Sequence, residues 1–119
     1  WLRTSREYRF TKLKRPLTLY RQHPQQGNRI ARSIDYRTEL ISKAAAKWGL
    51  CSRDGRCITK RQFRKNIARY HMEFGLNSLA SGNLKVANRS FLKSWLKSPV
   101  KLKSLAYIPA ALLGWRPKW

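Results

Sequence analysis

Few side chains in this chain can do chemistry, and they are widely spaced. His23 and His71 are its two histidines, the residue type whose ordinary pKa lies nearest neutrality. Arg21 stands two residues before His23. On an extended strand both would fall on one face, opposite Tyr20 and Gln22, so a single anion could meet both. A neutral imidazole can ligate a metal ion and a guanidinium can pair with phosphate. The plainer role for His23 is to close the strand and hydrogen-bond the loop before Pro24. His71 falls beside an apolar helical face, where a hydrogen-bonded structural histidine is expected. The acids are Glu7, Asp35, Glu39, Asp54 and Glu73, and no two of them form an Asp-x-Asp metal pair. Cys51 and Cys57 flank Ser52-Arg53-Asp54-Gly55-Arg56, without the two-residue spacing of a zinc knuckle or redox motif. They suit either a disulfide closing the Asp54-Gly55 turn or two free thiols, the latter being the expectation in a reducing cytosol.

The charge balance limits the choice of partner more than any motif does. The 119 residues carry 27 Lys+Arg against 5 Asp+Glu, a formal net charge of +22. Such a surface favours phosphates, nucleic acid or the anionic face of a cytoplasmic leaflet. A hydrophobic fraction of 42% with five tryptophans is too apolar for a disordered tail. The longest uncharged stretch rich in apolar residues, 104–115, has 12 residues, short of the roughly 20 that span a bilayer. The opening Trp1-Leu2-Arg3 has neither an initiator methionine nor the apolar core of a signal peptide, so the chain is expected to be part of a longer one.

Periodicity then predicts the elements that position these groups. A short helix covers the segment around Trp1 to Tyr8, and Phe10, Leu13, Leu17 and Leu19 flank Pro16 in an extended stretch read as an edge strand. The polar run His23-Pro24-Gln25-Gln26-Gly27-Asn28 is a loop. Ile30, Ile34, Ile41, Ala44, Ala45 and Trp48 share one helical face that ends at Gly49. Thr59 followed by Gln62 has the form of a capping box. The helix it starts carries Phe63, Ile67, Tyr70 and Phe74 on one face and Arg61, Lys65 and Arg69, with Arg64 nearby, on another. Ser81-Gly82-Asn83 ends it, and Leu84, Ala87, Phe91 and Trp95 begin the next. Ser98-Pro99 has the form of a helix start, and the last helix carries Leu102, Leu105, Ala106, Ile108, Leu112 and Leu113 past Pro109 to Gly114. The reading is a mainly α protein: a short N-terminal helix and edge strand, then about four amphipathic helices in antiparallel hairpins. The pair joined at Gly82-Asn83 is similar to one tetratricopeptide unit, which is fewer than a free solenoid needs and so serves as a packing element.

The segment Trp1-Leu2-Arg3, followed by Pro16-Leu17-Thr18-Leu19-Tyr20-Arg21-Gln22-His23-Pro24, resembles the C-terminal end of the catalytic domain of family-2 glycosyltransferases. There an acidic pair precedes a Trp-Leu-Arg helix, and a Pro-Leu-x-x-Tyr-Arg-x-His-Pro strand follows before a variable, often helical tail. The match covers about residues 1–24 and is weak beyond residue 29. The resemblance implies a GT-A parent enzyme that uses a nucleotide-sugar donor and a divalent metal, Mg or Mn, to transfer a sugar with inversion to an acceptor hydroxyl. It divides the chain into residues 1–28, the end of the catalytic domain, and 29–119, a basic helical tail. Arg21 and His23 are implied at the donor diphosphate, with His23 near the metal. Trp1 would border the acceptor pocket or simply pack, and Arg3 would pair with an upstream acid. The catalytic carboxylates would lie upstream, so this segment would not turn over alone.

Two other readings come from charge. Arg61, Arg64, Lys65 and Arg69 would neutralise phosphates in a nucleic-acid-binding module with steep salt dependence, although no sequence signature of such a module is present. Lys97, Lys101, Lys103, Arg116 and Lys118 surround an apolar helix and two tryptophans, a pattern suited to the anionic inner face of a membrane. The expected setting is cytoplasmic, with the tail peripheral to that face. The plain reading of the last helix is packing onto the two helices before it.

Overall fold

A computed structural model describes residues 3–19, 21, 33–99 and 103–114. Its elements are α1 (Thr4–Glu7), α2 (Tyr36–Trp48), α3 (Lys60–Ala80), α4 (Leu84–Lys97) and α5 (Lys103–Leu112), so the protein is mainly helical, as its periodicity predicts.

Local chemistry sets most of the boundaries. Asp35 caps α2 by accepting the Thr38 amide at 3.0 Å, and Gly49 ends it at φ +77°, in the left-handed region that suits glycine. The capping box of α3 forms: Thr59 Oγ1 accepts the Gln62 amide at 3.1 Å while Gln62 Oε1 accepts the Thr59 amide at 2.9 Å. Asn83 caps α4 by accepting the Val86 amide at 3.3 Å. Ser98 ends α4 with its amide donated to the Ser94 and Trp95 carbonyls, and α5 is described from Lys103; residues 100–102, on which the expected start after Ser98-Pro99 turns, lie outside the described residues. Pro109 lies inside α5, where it lacks the amide that would bond back to the preceding turn.

The helices stack in chain order, α2 on α3, α3 on α4 and α4 on α5. Contacts between α3 and α4 pair the start of one with the end of the other. Ser94 Oγ donates to the Ala68 carbonyl at 2.7 Å, and Phe91 lies against Gly75. The pair is therefore an antiparallel hairpin. Its core is Leu79, Ala87 and Phe91, with Met72, Leu76, Tyr107 and Ile108 packed around it. Phe91 is fully buried and stacks on Tyr107, ring centroids 5.5 Å apart. Helix α2 runs antiparallel to α3: at its start Asp35 meets His71 and Arg37 meets Glu73, and at its end Trp48 lines the same pocket as Phe63 near the start of α3.

Two expectations are corrected. Cys51 and Cys57 form a disulfide rather than two free thiols, with Cα atoms 4.0 Å apart. The turn between them brings the sulfurs together. Ser52 donates its amide to the Arg56 carbonyl at 2.8 Å, Ile58 donates to Leu50 at 3.0 Å, and Gly55 takes φ +82° at the bend. The edge strand is likewise absent from the described residues. Residues 9–19 lie outside any helix and pair with no strand, and Phe10, Leu13, Leu17 and Leu19 are exposed. A strand needs a neighbour to take its backbone donors and acceptors, and the only bridge among the described residues joins Cys51 to Cys57.

Candidate functional site: a cationic cleft beside a buried histidine

Those of the residues singled out by sequence that are described lie on separate elements. Arg3 precedes α1 and is exposed, and Arg21 is exposed. Trp1, His23, Lys101, Arg116 and Lys118 lie outside the described residues. Lys103 opens α5. Arg61, Arg64 and Lys65 are exposed in the first turns of α3 and make no ion pair among the described residues. Arg69 leaves that stripe: its Nε lies 3.7 Å from Glu73 Oε1 and its guanidinium 5.3 Å from the Tyr70 ring centroid. Helix α3 has no acid in its first turn, so these cations oppose the positive end of the helix dipole. Helix stability does not account for their placement.

The best-formed polar site is one that sequence reasoning treated as plain structure. His71 is buried, and its Nδ1 lies 3.0 Å from Asp35 Oδ2. Asp35 is fixed in turn by the start of α2, where it accepts the Thr38 amide at 3.0 Å and the Thr38 hydroxyl at 2.5 Å. Facing a carboxylate, Nδ1 carries the proton. Burial pulls the His71 pKa below 6.5 and nearby Lys93 and Lys97 add to that, while Asp35 opposes it. His71 and Asp35 line a cleft of about 660 Å³ between the start of α2, the middle of α3 and one face of α4. Lys85, Arg89 and Lys93, one turn apart along α4, form its cationic wall.

The acids nearby are already engaged. Glu39 holds Lys43 at 2.6 Å, and Glu73 holds Arg37 at 2.9 Å beneath a guanidinium stacked 3.8 Å from the Tyr70 ring centroid. In the disulfide turn Asp54 meets Arg56 at 3.5 Å, and the Ser52 hydroxyl hydrogen-bonded to Asp54 lowers that carboxyl's pKa. Lys85, Arg89 and Lys93 make no ion pair among the described residues. The sequence signal for this cleft was available in two parts: Asp35 three residues before Thr38 at a helix start, and cations at 85, 89 and 93 on four-residue spacing.

No three His, Cys, Asp or Glu side chains converge as a metal site among the described residues. No described helix is long and apolar enough to cross a membrane. Set against known protein families, curated proteins and solved structures, the chain shows no match.

Proposed function

We propose that this chain is the C-terminal portion of an inverting GT-A glycosyltransferase, in which residues 1–28 complete the catalytic domain and the helical tail holds the enzyme at an anionic membrane surface. The observation that carries this reading is the exposure of residues 8–19. Tyr8, Leu13 and Leu17 are each more than half exposed and Leu19 wholly so, on a segment with no strand partner among the described residues. Leaving such side chains in water forgoes roughly 1.5–3 kcal/mol each. A segment of this kind gains a folded role by entering the edge of a larger sheet, and its Pro-Leu-x-x-Tyr-Arg pattern resembles the strand that does so in family-2 enzymes.

Within that reading the nucleotide-sugar and the divalent metal are bound by the upstream catalytic domain, with Arg21 and His23 approaching the donor diphosphate. The tail contributes binding. Leu92 and Leu96 are exposed on α4, which also carries Lys97, Leu112 and Leu113 are exposed at the end of α5 and just past it, and Arg61, Arg64 and Lys65 are open to solvent on α3. Leucines enter the interface while lysines meet lipid phosphates.

The test is the intact mass of the polypeptide in its native source. A mass several times 14.0 kDa with an Asp-x-Asp sequence upstream of Trp1 supports the reading, and a native chain of about 14.0 kDa overturns it. In the longer enzyme, His23→Ala is expected to lower metal-dependent transfer well beyond any loss of stability. Flotation of the tail with anionic but not neutral liposomes tests the membrane contact.

A further inference from the structure

We propose that the cleft between α2, α3 and α4 binds a diphosphate group, with Arg89 as its central contact, Lys85 and Lys93 flanking it, and the His71–Asp35 pair forming its floor. This inference goes beyond the glycosyltransferase reading and does not depend on it, because every residue involved lies between positions 35 and 93.

Three observations lead there. The cleft encloses about 660 Å³, room for a small phosphorylated molecule or a headgroup. Its α4 wall presents Lys85, Arg89 and Lys93 with no ion pair among the described residues, although the acids around them are all paired. Three cations on one wall repel one another unless an anion lies between them. The third observation is the floor, where His71 is held by Asp35 through Nδ1 and keeps only 9% of its side chain exposed. Its Nε2 has no hydrogen-bond partner among the described residues.

Spacing selects the ligand chemistry. Four residues of helix advance about 6 Å, so Lys85 and Lys93 are anchored about 12 Å apart with Arg89 midway. A single phosphate carries at most about two negative charges at neutral pH against three cations. Two linked phosphoryl groups carry enough charge for all three cations and let the guanidinium bind bidentately. The charged and titratable groups facing His71 are Asp35 and Glu39 from α2 and its cap, and Lys85, Arg89, Lys93 and Lys97 from α4. An anion seated among those cations cancels their effect on the imidazole, so occupancy raises the His71 pKa.

The experiment titrates the whole chain with inorganic pyrophosphate, and separately with inorganic phosphate, by calorimetry at about 0.15 M salt, where exposed charges are screened beyond about 8 Å. The titration is repeated with phosphatidylcholine vesicles carrying a prenyl diphosphate. Arg89→Gln and Lys93→Gln are expected to weaken pyrophosphate binding about 10- to 100-fold, the loss of a charge-assisted contact. Lys60→Gln, exposed at the start of α3 and away from the cleft, is expected to change it less than about twofold. Nitrogen NMR of His71 should show its titration moving to higher pH on binding. Binding of free pyrophosphate identifies a soluble diphosphate ester as the source. Binding only to the prenyl diphosphate vesicles, and still lost in Arg89→Gln, identifies a lipid headgroup. The proposal is overturned if neither probe binds, if phosphate binds as tightly as pyrophosphate, if Lys60→Gln costs as much as Arg89→Gln, or if the His71 titration does not move.

Discussion

Adding one methyl group at Gly75 tests how the α3–α4 hairpin is held. A Cβ there would lie 2.5 Å from Phe91 Cε1 and 2.7 Å from Cδ1, whereas carbon atoms attract best at about 3.5–4.0 Å. The ring has little room to retreat, because Phe91 is fully buried and stacks on Tyr107. Replacing glycine by alanine inside a helix gains about 1 kcal/mol of helix propensity. Forcing an extra carbon into a close-packed contact costs about 1–3 kcal/mol, and the overlap here of about 1 Å puts the cost at the upper end. Gly75→Ala is therefore expected to destabilise the protein by about 1–2 kcal/mol, against the direction that propensity alone gives. Urea unfolding followed by far-ultraviolet circular dichroism measures this directly. Phe91→Leu in the same background should make the two changes less than additive, since the smaller side chain removes the clash. A Gly75→Ala protein with a raised urea midpoint, or strict additivity with Phe91→Leu, would refute the close approach of the two helices at this point.

Thr59→Ala removes the side-chain half of the α3 capping box and is expected to cost about 1 kcal/mol, visible as faster hydrogen exchange in the first turn of α3 and a lower urea midpoint. His71 gives stability a pH dependence of definite sign. Its folded pKa lies below the ordinary 6.5, so the unfolded chain takes up the proton first, and stability is lost as pH falls from 6.5 through the folded pKa. His71→Gln should flatten that slope in urea midpoints measured across the range, and an unchanged slope would assign it to other groups. Reducing the Cys51–Cys57 disulfide opens a short loop and is expected to cost no more than about 2 kcal/mol. Faster exchange at the Ser52 and Ile58 amides with α3 and α4 intact is the expected result, and loss of the helical signal would contradict it.

The sequence by itself determined where most helices begin and end, because those signals act within one turn. Thr59 and Gln62, the Ser81-Gly82-Asn83 break and the positive-φ glycine at 49 are each read from neighbouring residues. It also located one face of α3, Phe63, Ile67, Tyr70 and Phe74, whose large side chains make the period visible. The second buried face, Ala68, Gly75, Ser78 and Leu79, escaped a reading based on apolar size. Small residues there let α4 come close enough for Ser94 to reach the Ala68 carbonyl, and closeness between helices is a property of the pair. The disulfide followed the same rule, since two cysteines around a turn are equally consistent with thiols until the turn is folded. Only the tertiary structure joined Asp35 to His71 across 36 positions of chain and set the cations of α4 opposite them. Capping and periodicity are local and therefore written in the sequence, whereas a cleft exists only where three helices leave space between them.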